Sequence, residues 1–236
     1  PDNVFELASY LNREQYGKTP LFYGANFAEN ADGSIADTYL RDENGSVIEN
    51  EKLRYYKSND GKSYVKLKDP VNSDAQEDPA VKRFFPRMYS TNHVSGYKYW
   101  SGYNIDNANE VRLDDGVTTV FTPTFRDNLR YFFSYQLNHM YWRYFMWNFA
   151  GRQNDIQGNG EPNRGNWISG IPFVDNARLG DQSLLPEEYG EGNKGHNVFY
   201  MLPLILGLIG ALWQAFSSRR GIEQFWVVFF LFFMTG

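Results

Sequence analysis

Apolar positions follow different rhythms along this chain, and each rhythm predicts its own kind of element. Near the start, Val4, Leu7, Ala8 and Leu11 recur at helical spacing and are closed by Gly17, with Pro20 shortly beyond, which predicts a short helix over Val4 to Tyr16. A strand-like PLFYG follows. From Ile35 to Leu67 the pattern turns β-like: Asn44-Gly45 and Asn59-Asp60-Gly61 are turn signals, and LRYYK and KSYVKLK flank the second. A hairpin pair or small meander is predicted there. Pro70 to Pro79 is acidic and turn-rich and reads as a loop.

After Pro123 the rhythm becomes helical over a long stretch. Thr124 and Asp127 fit a capping box, and Gly151 fits a helix stop. At 100° per residue, Leu129, Phe133, Leu137, Met140, Tyr144 and Trp147 fall on one stripe, while Arg130, Ser134, Asn138 and Asn148 fall on another. This predicts an amphipathic, aromatic helix. Arg130, His139 and Arg143 make a path through lipid costly, so the expected place is the membrane interface or a surface over a membrane domain. Gln153 to Gly195 is rich in Gly, Asn and Pro and has little periodicity, so an irregular segment is expected.

The last rhythm is continuous. From Val198 to Phe216 nineteen residues carry no charge, which at about 1.5 Å per residue approaches the thickness of a bilayer's hydrocarbon layer. A polar link with Arg219 and Arg220 follows, then the apolar run Phe225 to Met234. The reading is a transmembrane helix over 198–216, a cytoplasmic link over 217–224 and the start of a second, truncated membrane helix over 225–236. Two arginines in the short link, against Lys194 near the other end, orient residues 1–197 outside the cytoplasm, in the periplasm of a bacterial cell. Residues 1–123 then form a mixed outer region with hairpins, and residues 124–197 the interfacial helix and its Gly/Asn-rich loop. The expected fold class is α+β followed by transmembrane helices, and the chain reads as a piece of a longer inner-membrane protein.

Composition narrows the chemistry. Aromatic residues make up 18% of the 236 residues although mean hydropathy is only −0.56, so apolar and polar character are segregated along the chain. The net charge of −5 argues against a nucleic-acid partner, because phosphate-backbone affinity rests on clustered Lys and Arg. With no Cys, disulfides, thiolate metal sites and cysteine nucleophiles are excluded. His93, His139 and His196 are far apart in sequence and no paired-ligand motif exists, so no metal site is expected. An oxygen-ligated Ca²⁺ around Asn104, Asp106, Asn109 and Glu110 lacks the EF-hand pattern. Gly190, Gly192 and Gly195 satisfy GxGxxG, yet LLPEEY precedes them and no βαβ unit surrounds them, so they read as an entry to the membrane segment rather than a dinucleotide site. Neither a nucleophile elbow nor a P-loop occurs.

What remains is RQNDIQG, Arg152 to Gly158, directly after the aromatic helix. Arg152 suits a bidentate phosphate clamp, Asp155 can accept a proton or a sugar hydroxyl, and Gln153, Asn154 and Gln157 suit sugar recognition. Arg143 adds positive charge, and Trp167 joins the candidate substrate-binding set. Asp155 is the candidate catalytic group. The competing reading is that these residues cap the helix and tie down the loop.

The strings LNREQYG at Leu11, FPRMYS at Phe85, YWRYFMWNFAGRQNDIQG at Tyr141 and NWISGI at Asn166 resemble a bacterial multi-spanning membrane family, once called a domain of unknown function. That family is related to the transmembrane protein O-mannosyltransferases and is classed as glycosyltransferase family 117. The resemblance implies a GT-C type enzyme that transfers a sugar, mannose by precedent, from a polyprenol phosphate donor to Ser or Thr of an extracytoplasmic acceptor protein. It implies membrane lipid, lipid-linked sugar and the rest of the parent membrane domain as partners. It carries no catalytic residue onto this stretch, since the family's acidic residue is expected in a first extracytoplasmic loop, and the piece alone is expected to be inactive. The alternative is a non-catalytic, membrane-tethered periplasmic interaction or assembly domain.

Overall fold

The computed structural model describes residues 20–50, 53–58, 62–68, 74–217 and 220–235. The helix expected over Val4 to Tyr16 lies outside them. The described chain is mixed α+β, built of two-stranded antiparallel pairs and short helices, and it divides into two units, Pro1–Tyr135 and Gln136–Gly236.

In the first unit β1 (Tyr23–Ala25), β2 (Glu49–Asn50), β3 (Leu53–Lys57), β4 (Tyr64–Lys68), β5 (Asp74–Ala75) and β6 (Lys82–Phe84) come first. Then follow α1 (Val94–Ser101), the hairpin of β7 (Asn109–Arg112) and β8 (Thr119–Thr122), and α2 (Phe125–Tyr131). β3 and β4 pair from Leu53 opposite Lys68 to Lys57 opposite Tyr64, which is the hairpin that the Asn59-Asp60-Gly61 signal demanded. The stretch read as a loop before Pro79 holds β5, which pairs with β2. A two-residue strand has no periodicity to read, and only its partner makes it a strand.

One turn design recurs. Gly33, Gly45 and Gly116 all have φ of 69–80°, and in each turn the glycine N–H donates to a carbonyl three residues back: Asn30, Asp42 and Leu113. Those carbonyl-bearing residues in turn donate to Ser34, Ser46 and Thr118, closing a hairpin whose left-handed position only glycine takes at no steric cost. Two apolar clusters fill this unit, one of Ala25, Ala28, Ala36, Val81, Val111, Leu113 and Val120, the other aromatic around Phe27, Tyr97, Tyr103 and Tyr131. Glu29 is buried to 1% exposure and pairs with Lys98 Nζ at 2.6 Å.

The capping box is present: Thr124 Oγ1 accepts from Asp127 N at 3.2 Å, and Asp127 Oδ2 accepts from Thr124 N at 2.9 Å. The helix it starts is not α throughout. Phe132–Trp142 is an eleven-residue π-helix, and α3 (Arg143–Phe149) completes the run. The 100° stripe therefore fails as a guide to burial, because i→i+5 bonding rotates successive side chains differently from the α-helix. Asn128, Tyr131, His139 and Met146 are the buried positions, whereas Phe133, Leu137, Met140 and Tyr144 are exposed.

The second unit continues with β9 (Gly151–Arg152), α4 (Pro172–Leu179), β10 (Asn197–Val198), α5 (Leu202–Ser217) and α6 (Gly221–Thr235). Two sequence boundaries move. Val198 is not helical but lies in β10, paired with Gly151, and the helix begins at Leu202. The second apolar helix starts inside the polar link, at Gly221, where a Cβ would fall 1.9 Å from the Gln214 carbonyl; Glu223 in its first turn suits the positive end of the helix dipole. At sixteen and fifteen residues, α5 and α6 are shorter than the nineteen-residue span read from the sequence. No helix among the described residues is long and apolar enough to cross a membrane.

Candidate functional site

The second unit brings much of the sequence-predicted set together around β9. Ile168 N donates to Gly151 O on one side of the strand, and β10 pairs with it on the other. Gly151 is squeezed between them: with φ of 140°, a Cβ there would lie 2.4 Å from Asn197 O and 2.9 Å from Ile168 O. Arg152 N donates to Asn197 Oδ1 at 2.9 Å, and Arg152 also forms a bridge with Trp167. Beyond β10, Tyr200 and Met201 both have positive φ, 52° and 58°, an uncommon state for side chains of this size, immediately before α5.

Trp147 is the centre that the sequence reading left out. The guanidinium of Arg143 lies over its ring at 4.9 Å and that of Arg152 at 4.5 Å, and its indole N–H is buried without a partner. Arg143 and Trp147 are four residues apart on a helix, so their shared face was available as a signal. Arg143 Nε donates to His139 O at 2.9 Å and a terminal nitrogen to Gly165 O at 3.2 Å, which orients its charge. Arg152 uses Nε on Asn154 O at 2.9 Å. Its two terminal nitrogens have no partner among the described residues, which leaves them suited to a phosphate.

Gln153 and Asn154 turn out to be the scaffold. Both are buried, at 1% and 0% exposure. Gln153 Nε2 donates to Pro162 O and Gln182 Oε1, and its Oε1 accepts from Asn166. Asn154 Nδ2 donates to Asn163 O and Tyr189 O, while Oδ1 accepts from Ile156 N and Gly165 N. An amide has two donors and two lone pairs, so neither side chain has capacity left for a sugar. Here the competing structural reading holds, and it explains how the irregular segment is ordered.

Asp155 and Gln157 are exposed. Asp155 N donates to Asn193 Oδ1 at 3.2 Å, and its carboxylate accepts no hydrogen bond among the described residues. Trp167 is half-buried with one face covered by Arg178, whose guanidinium lies 3.6 Å from the ring centroid. Asp175, also buried, accepts from Ser169 N, Ser169 Oγ and Gly170 N and so clasps the NWISG turn. Gly195 of the GxGxxG string packs against the Asp155 main chain, where a Cβ would fall 2.7 Å from Asp155 N; no βαβ unit surrounds it.

His139 is buried one turn before Arg143. Burial, then the neighbouring Arg143 charge, push its pKa below the ordinary imidazole value, only partly offset by a bond with the Gly158 backbone and by Glu161. No cluster of three or more His, Asp or Glu side chains among the described residues is arranged to hold a metal ion.

Residues 17–133 are similar to a family of unknown function (DUF8416). That match ends before Arg143, so it says nothing of the Trp147 cluster. No curated protein and no solved structure matches the chain.

Proposed function

We propose that this chain is part of an integral membrane glycosyltransferase of GT-C type, related to the protein O-mannosyltransferases, and that Arg152 and Arg143, stacked on Trp147, hold the phosphate of a polyprenol phosphate sugar. The observation that carries the reading is the pairing of Arg152 with Asn197, five residues before the apolar helix α5 begins. Along α5, Leu206, Leu208, Ile209, Leu212, Trp213 and Phe216 are exposed by half or more, and Trp226, Val227, Val228, Phe229 and Phe230 of α6 likewise. A helix hairpin apolar on every side is unfavourable in water and needs lipid or protein around it. Lipid puts Arg152 at headgroup level, where a lipid-linked phosphate lies. Sixteen helical residues reach about 24 Å, and local thinning of the bilayer or flanking aromatic side chains absorb such a shortfall. The outward Phe133, Leu137, Met140 and Tyr144 suit an interfacial helix.

In the reaction an acceptor Ser or Thr oxygen bonds to the anomeric carbon as the bond to the polyprenol phosphate oxygen breaks. The phosphate leaves with the bonding electrons, and the hydroxyl proton passes to a base. The two guanidiniums offset the growing phosphate charge. Asp155 is the carboxylate of the RQNDIQG stretch open to take the proton, with Gln157, two residues on, and Trp167, bridged to Arg152, as sugar contacts.

The test is transfer of radiolabelled mannose from polyprenol phosphate mannose to membrane proteins, by the complete polypeptide that carries this chain. Arg152→Ala and Asp155→Ala variants are compared at equal folded levels. The proposal expects at least a hundredfold loss in Arg152→Ala; unchanged transfer in that variant removes the phosphate role.

A second reading, a non-catalytic membrane-tethered interaction domain, is favoured by one feature of the first unit. Phe84, Phe85, Phe125 and Phe132 form a chain of rings 5.3 to 6.4 Å apart, with Phe84 and Phe125 exposed. No transfer by the unaltered protein from any polyprenol sugar would move the weight there.

A further inference from the structure

Beside β9 and β10 lies an open cleft of about 250 Å³. Ile168, Leu185 and Val198 supply apolar lining, and His196, Asn176, Asp181, Glu191 and Tyr200 the polar groups. The orientation of His196 is set from behind: its Nδ1 lies 3.0 Å from the carbonyl oxygen of the buried Gln153. A carbonyl only accepts, so Nδ1 carries the hydrogen, and in the neutral ring Nε2 keeps its lone pair. Asn176 Oδ1 accepts from Gln182 N at 3.2 Å, which leaves the Nδ2 hydrogens to donate. Asp181 Oδ1 accepts from Ser183 N and Oγ, and Oδ2 stays open.

The cleft thus offers one donor group, Asn176 Nδ2, and two acceptors, His196 Nε2 and Asp181 Oδ2, over an apolar floor. Its lining includes Asp175, Asp181 and Glu191 but no Lys or Arg, so a phosphate or carboxylate would be repelled. A vicinal hydroxyl, which donates and accepts at once, satisfies both kinds of group. At this size, below the roughly 300–1,000 Å³ of sites for drug-sized ligands, a single ring fits better than an oligosaccharide.

We infer that the cleft binds one neutral, hydroxyl-rich ring, a single sugar unit, with His196 Nε2 and Asp181 accepting from its hydroxyls and Asn176 donating to a ring oxygen or hydroxyl. Charge divides the labour: the anionic phosphate goes to Arg152, and the neutral sugar to the side of β9 where Gln153 orients His196. The assignment of that sugar as the donor's glycosyl unit rests on the transferase reading, whereas binding itself does not.

The experiment is calorimetric titration of the whole protein in nanodiscs with the methyl α-glycosides of mannose, glucose and galactose, and with ethanolamine as a cationic probe. At least one glycoside is expected to bind, with a tenfold or greater loss of affinity in Asn176→Ala and in Asp181→Asn. Both positions are exposed, so these variants are expected to keep the native melting profile, which His196→Ala need not. No glycoside binding, equal binding in both variants, or binding of ethanolamine alone overturns the proposal. Transfer is read separately: glycoside binding without transfer from any polyprenol donor keeps the cleft as a sugar site and removes only the transferase reading. Loss of transfer in Arg152→Ala with no glycoside binding does the reverse.

Discussion

Asn154 illustrates how much one side chain organises. It ties four backbone groups, from Ile156, Asn163, Gly165 and Tyr189, into one buried knot. Asn154→Ala would leave those groups desolvated and unpaired, and a loss of roughly 3 kcal/mol is expected, read as a lower midpoint in thermal unfolding of the solubilised protein. Asn154→Asp should be nearly as damaging, because it removes the two donors. In the sequence this residue looked like a ligand, since Asn and Gln in a loop signal sugar binding and internal bonding equally well. His139 gives a pH prediction. Its folded pKa lies below the ordinary 6.5, so its neutral form is native, and above pH 6.5 it takes nothing from stability. As pH falls below 6.5 the unfolded chain takes up the proton first, and stability declines until the folded pKa is passed. The midpoint should therefore fall between pH 7.5 and 5, and less so in His139→Gln; an unchanged slope in that variant would locate the sensitivity elsewhere.

At the scale of elements, the hairpin over β3 and β4 and the start of α2 were readable because local chemistry decides them. An Asn-Asp-Gly turn and a Thr-x-x-Asp box act within four residues. Thr124→Ala should cost about 1 kcal/mol, and hydrogen exchange should show faster opening in α2. The β7–β8 turn carries the same Asp-Gly signal at Asp115-Gly116. The π-helix was not readable at all, since nothing in FFSYQLNHMYW distinguishes i→i+5 from i→i+4 bonding. Its amides are expected to exchange faster than those of α3; slower exchange than α3 would mean that packing outweighs the strained geometry.

For the whole molecule the decisive question is what surrounds α5 and α6. Leu208 is exposed and lies near the middle of α5. If lipid surrounds it, Leu208→Arg costs about 3 kcal/mol of insertion and shifts the protein from the carbonate-resistant membrane fraction to the soluble or aggregated one. Unchanged fractionation would instead point to protein cover. On the membrane reading, a single Cys introduced into this Cys-free stretch reports its sidedness. Ser46→Cys, in an exposed turn, should react with an impermeant maleimide in cells with a permeabilised outer membrane but intact inner membrane. Labelling only after inner-membrane lysis would reverse the orientation.

By itself the sequence determined the local elements and the apolar segments: glycine-closed turns, the capped helix start, and two C-terminal runs too apolar to be loops. These follow from φ preferences, capping and hydropathy, which act over a few residues. Only the tertiary structure decided which polar side chains are scaffold and which are open. The bonds that bury Gln153 and Asn154 reach 9 to 35 residues along the chain, and the stacking of Arg152 on Trp147 depends on how the chain turns through Gly151. Long-range pairing of that kind leaves no periodicity in the sequence.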